Sequence, residues 1–223
     1  MNNDVEITLY NKTPYDYTMV VFQQDPEING MFTKIFPTAW QQIPLGGLKS
    51  GAPGGGNVSC NSFVYPIQMQ VGVSEIDTPY SPNVRTTTYD CLLNSKWKFS
   101  IKDGYQNLEL LDDKNVDGTI SCYNNSLKRV EISICKNSKP LLRYTGQDGK
   151  GVPQGEVANL QITPKIYIMY ASQMVRENYF NSYVSSNEVV EIDLTNAKKI
   201  NVSLTVKDEV SGLKEWIVEK SEN

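Results

Sequence analysis

The fold of this chain is decided by residues 7–23, ITLYNKTPYDYTMVVFQ, and by residues 120–136, ISCYNNSLKRVEISICK. When the two stretches are aligned without gaps, both alternate apolar and polar residues, continue through turn-forming residues, and then resume the alternation. A period of two is typical of β-strands, because successive side chains leave opposite faces. Asn-Lys-Thr-Pro in the first stretch and Asn-Asn-Ser in the second favour tight turns, so each stretch is predicted to be a β-hairpin.

A second pair of stretches repeats in the same order along the chain. Residues 97–111, WKFSIKDGYQNLELL, align with residues 202–216, VSLTVKDEVSGLKEW, and this alignment places Leu108 on Leu213. The displacement is 105 residues for this pair and 113 for the first pair, and a shorter internal loop in the second copy explains the difference. Because order and spacing are kept, we interpret the chain as an internal duplication. The alternative is a chance similarity between β-hairpins, whose alternating patterns are common.

The predicted fold class is all-β, with two tandem antiparallel β-sandwich units at 1–113 and 114–223. Short alternating stretches separated by turn residues are typical of sandwiches. Further strands are predicted at 65–74, 86–92, 96–102, 107–111, 119–123, 130–136, 141–144, 159–170, 189–194, 200–206 and 213–218. No long amphipathic helix is predicted.

Composition and charge exclude several classes of partner. The net charge is −4 and the chain has no Lys/Arg run, so we expect no nucleic-acid binding. The longest apolar runs are strand-sized, well short of the ~20 residues that a membrane helix needs, so no membrane span is expected. The N-terminus, MNND, lacks the basic and apolar regions of a signal peptide. We therefore expect a soluble protein that is either cytoplasmic or exported by a non-classical route.

The chain has no histidine, which excludes Ser-His-Asp and Cys-His nucleophiles, histidine general bases and histidine zinc sites. A pair of carboxylates can still catalyse glycoside hydrolysis. The acids nevertheless stand singly at strand ends or beside lysine, which is typical of solvated strands and turns. They include Asp103, Glu109, Asp193, Asp208 and Glu215. We predict that the protein is not an enzyme, has no catalytic residues and needs no cofactor.

One segment between the two predicted units has part of the ligand pattern of a calcium loop. Asp113, Asn115 and Asp117 offer oxygen atoms at positions 1, 3 and 5 of an EF-hand-like loop, and Gly118 follows at position 6. The pattern fails at position 12, which is Asn124 rather than a bidentate Glu. A simple Asp/Asn/Gly turn explains the same residues. If Ca²⁺ binds this chain, Asp113, Asn115 and Asp117 are the predicted ligands.

Aromatic side chains offer a second candidate surface, for stacking on sugars. Trp97 is in phase with Phe99 and Ile101 and is predicted to lie in the core, whereas Tyr144 and Tyr167 are the candidate platforms. Aromatic residues in strands are more often core or cross-strand partners. A glycan is therefore kept as an alternative partner.

The four cysteines show no CxxC pair and no zinc spacing. They are Cys60, Cys91, Cys122 and Cys135. We predict four reduced thiols, and two disulfides remain the alternative because the number is even.

Two stretches carry a resemblance to a known family. Residues 21–26, VFQQDP, followed by Thr38-Ala39-Trp40, resemble a strand end and a following segment of the RhiA-type rhizosphere-expressed proteins of root-associated bacteria. Tyr167-Ile168 and residues 190–193, VEID, are similar to the C-terminal half of that family. The resemblance implies a bacterial soluble β protein without an assigned catalytic activity, so no site residues are carried over.

These observations predict a non-catalytic protein that acts through surface contacts and is structural or self-associating. The expected partner is a second copy of the chain, because long and weakly charged sheet edges such as 159–170 favour association. The alternative is a carbohydrate- or Ca²⁺-binding module.

Overall fold

The structure is a computed structural model that describes residues 4–24, 34–48, 58–76, 86–112, 114, 118–171 and 188–222. Within these residues the chain forms seventeen β-strands and no helix, which confirms the all-β prediction. The strands are β1 (Val5–Asn11), β2 (Tyr17–Phe22), β3 (Ile35–Pro37), β4 (Gln41–Leu45), β5 (Ser59–Tyr65), β6 (Met69–Glu75), β7 (Thr86–Cys91), β8 (Lys96–Lys102), β9 (Tyr105–Asp112), β10 (Thr119–Asn124), β11 (Val130–Lys136), β12 (Lys139–Tyr144), β13 (Val157–Gln161), β14 (Lys165–Ala171), β15 (Val189–Asp193), β16 (Ala197–Asp208) and β17 (Leu213–Glu222). None of the described residues forms a helix that could cross a membrane.

The strands form four sheets that enclose two apolar cores. Sheet A has the order β17-β16-β1-β5 and sheet B the order β15-β14-β2-β4. They enclose the terminal core, whose fully buried members include Leu9, Met19 and Val202. Sheet C, β3-β12-β11-β6-β7, and sheet D, β13-β10-β8-β9, enclose the central core around Phe99 and Ile132. We call sheets A and B the terminal sheet pair, and sheets C and D the central sheet pair.

Every sheet contains strands from both predicted units, 1–113 and 114–223. In sheet A, β1 pairs with β16, and in sheet B, β2 pairs with β14. In the central sheet pair, β6 pairs with β11 and β8 with β10. Neither unit therefore has a sheet of its own. The boundary between two sequence repeats at Asp113 stays a prediction.

The prediction that residues 7–23 and 120–136 are hairpins is wrong. Strands β1 and β2 lie in different sheets, and so do β10 and β11. Each stretch is an arch that carries the chain across a core from one sheet to the facing sheet. Period-two alternation is the same in a hairpin and in an arch, because it reports which side chains are buried and not which strands pair.

The prediction of purely antiparallel sheets is also corrected. Strand β1 runs parallel to β16, and β8 runs parallel to β10. The β8–β9 connection is a hairpin, so β9 reverses the direction of β8 and the chain reverses again before β10. After two reversals, β10 runs in the same direction as β8. Because the two strands are neighbours in sheet D, they form a parallel pair.

The two sheet pairs share one strand order. Sheet A read from β17 to β5 corresponds to β9-β8-β10-β13, and sheet B read from β15 to β4 corresponds to β7-β6-β11-β12, with β3 as an added edge strand. The registers agree as well. Thr8 is opposite Asn201 and Ser121 is opposite Lys96, so the partners are displaced by 113 and 105 residues, as in the sequence alignment.

The alignment of Leu108 with Leu213 does not hold in three dimensions. Leu108 is opposite Phe99, and the residue opposite Leu204 is Trp216. The register of β16 with β17 shifts between Val206 and Asp208, so the second hairpin has a longer turn than the first. Trp216 is therefore the counterpart of Leu108.

Two predicted strands are each broken into two at a proline. The stretch 65–74 divides at Pro66 into the end of β5 and β6, and 159–170 divides at Pro164 into β13 and β14. Proline supplies no backbone N–H for a ladder. Strand β13 is an edge strand as predicted, but β14 lies between β15 and β2 and is not an edge.

Candidate functional site

The predicted calcium ligands Asp113, Asn115 and Asp117 lie outside the described residues. Two residues of the same motif are described. Gly118 has a φ of 73° and donates its N–H to Asn94 Oδ1 at 2.6 Å. Asn124, at position 12, is fully buried, and its side chain forms hydrogen bonds within its own arch and to Val152 O. Across the described residues, no group of three metal-binding side chains comes together.

The Asn124 arch is reproduced at Asn11, and this is the most faithful match between the two sheet pairs. Asn124 Nδ2 donates to Lys128 O at 2.9 Å and to Val152 O at 2.8 Å. Its Oδ1 accepts from the backbone N–H and the hydroxyl of Ser126 at 2.9 and 2.7 Å. The arch is thus closed by a buried amide whose donors and acceptor are all used.

In the terminal sheet pair, Asn11 makes the matching contacts. Asn11 Nδ2 donates to the carbonyl oxygens of Tyr15, Leu45 and Gly46 at 2.7, 3.2 and 3.2 Å. Its Oδ1 accepts from Thr13 N and Oγ1 at 3.1 and 2.8 Å. Asn-x-Thr/Ser is thus a structural motif of the arch, which explains why the two sequence stretches align at these positions.

Four aromatic rings and one ammonium gather at one end of the terminal sheet pair. We call Tyr15, Tyr17, Tyr170, Lys214 and Trp216 the aromatic cluster. The ring centroids of Tyr17 and Tyr170 are 4.9 Å apart, and those of Tyr170 and Trp216 are 5.9 Å apart. Lys214 Nζ lies 5.4 and 5.2 Å from the ring centroids of Tyr17 and Tyr170, within the range of a cation–π interaction. Trp216 Nε1 is buried and donates to no described residue.

The sugar platforms predicted from sequence, Tyr144 and Tyr167, both lie outside this cluster. Tyr144 is only 4 % exposed, and its hydroxyl lies 2.9 Å from Glu156 Oε1, so it belongs to the central core. Tyr167 is half-buried, stacks on Phe22 and binds Glu191 Oε2 at 3.0 Å. Trp97 is 6 % exposed, which confirms its predicted core position. The aromatic cluster was missed because its rings are far apart in sequence.

A buried lysine lies where the two sheet pairs meet. Lys136, at the end of β11, is 3 % exposed. Its Nζ donates to Pro66 O and, at 3.1 Å, to Ile67 O, and it lies 4.6 Å from the ring centroid of Tyr65. Burial lowers the pKa of Lys136 to about 8. The same burial raises the pKa of Tyr65, which donates its hydroxyl to Gln23 at 2.8 Å.

Gln23 takes the equivalent position in the terminal sheet pair. It stands 113 residues before Lys136 and donates its side-chain N–H to Thr163 O at 2.7 Å. Each side chain therefore binds a carbonyl oxygen of the chain segment that passes from one sheet pair to the other. The sequence alignment placed Gln23 on Lys136, but alone it gave no sign that either residue is buried at a crossing.

All four cysteines are free thiols, and only Cys60 is exposed. Burial raises the pKa of Cys91 and Cys122 to about 12 and that of Cys135 to about 11. A thiol that stays protonated is a poor nucleophile and a poor metal ligand. Cys91 and Cys122 therefore serve as residues of the central core, and Cys135 is buried on the outward face of sheet C.

The acids singled out in the sequence are engaged in turns and strand pairs. Glu109 pairs with Lys98 at 2.5 Å, and Glu215 with Lys207 at 3.7 Å. The Thr195 hydroxyl and then its backbone N–H hold the pKa of Asp193 below its usual value. The Ser211 hydroxyl, followed by backbone N–H groups, does the same for the pKa of Asp208. Asp103 is exposed in the β8–β9 turn.

One side of the central sheet pair exposes a group of apolar residues, which we call the β7–β9 edge patch. It consists of Tyr89, Leu92, Leu93 and Leu110, which are 44, 70, 42 and 52 % exposed. Tyr89 lies 6.3 Å from Trp97 between ring centroids, and Leu110 is opposite Trp97 in the β8–β9 ladder. Strands β7 and β9 are both edge strands, so their outer backbone groups have no partner strand among the described residues.

No family model, no curated protein and no solved structure matches this chain.

Proposed function

We propose that this protein is non-catalytic and that it works through contacts with further copies of itself, as a structural or self-associating protein. The resemblance of residues 21–26 and 38–40 to RhiA-type proteins supports a bacterial origin without assigned catalysis. The engagement of its described acids in turns and ion pairs supports a non-catalytic role.

We also propose that the chain is a tandem duplication whose two copies have exchanged halves. Strands β1, β2, β4, β5, β6, β7, β8 and β9 form one copy, and β10 to β17 form the other in the same order. The shared strand order, the equal registers at Thr8 and Ser121, and the matching arches at Asn11 and Asn124 support this interpretation.

The observation that carries the proposed self-association is the β7–β9 edge patch. Exposed apolar groups on a sheet edge favour pairing with another chain, and soluble proteins usually protect such edges with charge. The equivalent edge of the terminal sheet pair has that protection, because Lys165 pairs with Glu191 at 2.6 Å beside Asp193. The central edge also has charged residues, Asp90 at the position of Glu191 and Glu109 paired with Lys98, but Tyr89, Leu92 and Leu110 are exposed beside them.

Multi-angle light scattering over a range of protein concentrations tests this proposal. We expect species larger than one chain at high concentration, and we expect Leu110→Lys to shift the distribution toward the monomer. The matched control is Val218→Lys, because Val218 is opposite Val202 as Leu110 is opposite Trp97 and is 40 % exposed. A strict monomer at high concentration would count against the proposal, as would an equal effect of both substitutions.

A glycan-binding role is the second candidate, and the aromatic cluster is the observation that favours it. Tyr15 is 61 % exposed, and the neighbouring rings of Tyr17, Tyr170 and Trp216 give apolar faces beside an indole N–H without a described acceptor. Sugars bind such surfaces by stacking on rings and by hydrogen bonding to polar edges.

Titration with a panel of oligosaccharides, followed by tryptophan fluorescence, tests the second candidate. We expect a saturable change that disappears in Trp216→Leu and persists in Tyr89→Leu, which alters an aromatic residue in the other sheet pair. A panel without any saturable change would remove the glycan candidate and leave the self-association proposal untouched.

A further inference from the structure

The terminal sheet pair is assembled from two separate parts of the chain. Strands β1, β2, β4 and β5 form an N-terminal arm, and strands β14 to β17 form a C-terminal arm. The strands between them, from β6 to β13, form the central sheet pair, to which the N-terminal part adds only β3. The central sheet pair is thus continuous in sequence, whereas the terminal sheet pair is not.

The two arms are joined by long strand ladders. Residues 6–11 of β1 pair in parallel with residues 199–204 of β16, and residues 18–22 of β2 pair with residues 167–171 of β14. The ladders bury Leu9, Val21, Ile168 and Val202 in one core. Each arm therefore supplies two strands to each sheet of the terminal sheet pair, and the terminal core contains residues of both arms.

The C-terminal arm depends on the N-terminal arm more than on the central sheet pair. Among the described strands, β14 to β17 pair only with β1, β2 and one another. The N-terminal part has more anchors on the central sheet pair: β3 pairs with β12, and Trp40 Nε1 donates to Lys136 O at 3.2 Å. The C-terminal arm is thus held mainly by the ladders to its partner arm and by its covalent link.

The covalent links between arms and central strands are short. Residues 66–68 connect β5 to β6, and residues 162–164 connect β13 to β14. Strand β5 lies against β4, which is two positions from β14 in sheet B. If residues 66–68 led instead to the position that β14 occupies in sheet B, they would have to cross about 10 Å between the two sheets and about 10 Å along sheet B. The diagonal is about 14 Å. Three residues reach about 14 Å only when they are fully extended, so that return would need a fully extended link, and the chain continues into the neighbouring sheet pair.

We propose that two copies of this chain exchange their C-terminal arms, so that β14 to β17 of one chain complete the terminal sheet pair on the N-terminal arm of the other. This inference rests on the proposed self-association and adds arm exchange to it as a mode of contact distinct from the β7–β9 edge patch. The ladders and the core are the same whether the arms come from one chain or from two. Reciprocal exchange closes a dimer, and one-way exchange continues head to tail into longer assemblies.

Disulfide trapping between two full-length variants tests the exchange. Glu6 and Lys199 are opposite each other in the β1–β16 ladder, are about half exposed, and have Oε1 and Nζ 3.2 Å apart. An exposed ion pair of this kind contributes little to stability, so both variants are expected to fold. One chain carries Glu6→Cys and the other Lys199→Cys, both with Cys60→Ser to remove the exposed native thiol.

The two variants are mixed at high concentration in mild urea, returned to buffer and oxidised. We expect a disulfide-linked product of two chains that contains one copy of each variant, in excess of the product from either variant alone. The control chain carries Glu6→Cys and Lys199→Cys together, and oxidation before mixing should lock its arms in place and abolish the arm-exchanged species until a reductant is added.

The outcomes distinguish arm exchange from the self-association proposal on which it rests. If larger species form without the mixed disulfide, while the control chain cross-links within itself, arm exchange is wrong and association through the β7–β9 edge patch stands. If every variant and the unsubstituted chain stay monomeric, both proposals fail.

Discussion

The terminal and central sheet pairs bury equivalent positions on their inward faces and differ on their outward faces. Facing inward, Val21 and Ile168 of the terminal sheet pair correspond to Ile134 and Val71 of the central sheet pair, and all four are fully buried. The shared strand order therefore depends on the inward apolar positions.

The outward faces of the same strands have diverged. The outward residues Val20, Phe22 and Met169 of the terminal sheet pair form a small apolar cluster. Their counterparts are Ser133, Cys135 and Gly72, where the Ser133 hydroxyl lies 3.3 Å from Cys135 Sγ. The same strand order therefore occurs with either apolar side chains or small polar side chains on the outward face of the sheet.

The largest expected effect concerns the two cores. Phe99 and Leu204 are equivalent, and both are fully buried. We expect Phe99→Ala to lower the free energy of unfolding by about 4 kcal/mol and Leu204→Ala by about 3 kcal/mol, because each leaves a cavity in a packed interior. Urea unfolding followed by circular dichroism measures both. A loss below about 1 kcal/mol at either site would show that one sheet pair contributes little to the measured transition.

The second largest expected effect is a pH dependence of stability that Lys136 introduces and its counterpart Gln23 does not. The folded pKa of Lys136, about 8, is below the ordinary value of 10.5. The unfolded chain therefore binds more protons between these values, and the stability due to this group rises as pH increases from 8 to 10.5. The full increment is about 3 kcal/mol, at about 1.36 kcal/mol per pH unit.

Lys136→Gln copies the residue of the other sheet pair and should remove that increment. The quantity to measure is the difference in unfolding free energy between the unsubstituted and substituted chains at several pH values, because tyrosine and cysteine titrations cancel in it. Gln23→Lys is the reciprocal control and should introduce a similar pH dependence. A pH-independent difference across this window would contradict the burial of the ammonium.

The third prediction compares the arches. We expect Asn124→Ala and Asn11→Ala each to lower the free energy of unfolding by about 2–3 kcal/mol, because each removes several buried hydrogen bonds and leaves carbonyl oxygens without a donor. Asn→Asp at each position keeps the acceptor and loses the donors, so it separates the two contributions. Losses that differ by more than a factor of two would show that the arches are not equivalent; thermal and urea unfolding provide the measurement.

The smallest expected effect lies on the outward face. A Cβ at Gly72 would lie 2.7 Å from Ser133 Oγ and 2.8 Å from Cys135 Sγ, so Gly72→Ala should cost about 1–2 kcal/mol through overpacking. Adding Ser133→Ala and Cys135→Ala should restore part of the loss, because both crowding atoms are removed. Urea unfolding of the single and triple variants tests this, and no recovery in the triple variant would refute the steric explanation.

Much of the strand content could be predicted from the sequence. Alternation located β8 and β11 at their observed bounds and β9 within two residues of its observed bounds. The repeated Asn-x-Thr/Ser marked both arches, although it was interpreted as a hairpin turn. Alternation shows that each strand has one buried face. It does not show whether the next strand pairs with it in the same sheet, as in a hairpin, or lies in the facing sheet, as in an arch.

The candidate surfaces were less predictable than the strands. Tyr17, Tyr170 and Trp216 belong to three strands far apart in the chain, and only the stacking of sheets A and B brings their rings together. Lys136 stands in an alternating strand as an ordinary polar residue would. Its burial depends on the passage of residues 66–68 beside it, which no local pattern encodes.

By itself, the sequence determined that the chain is all-β and which side chains point inward. Successive side chains of a strand lie on opposite faces of the sheet, so alternating apolar residues mark the buried face. It also placed a chain turn at each Asn-x-Thr/Ser motif, whose side chains bind one another locally. Only the tertiary structure decided which strands became neighbours. That choice depends on what a three-residue link can span and on which apolar faces meet, and both are properties of distant segments acting together.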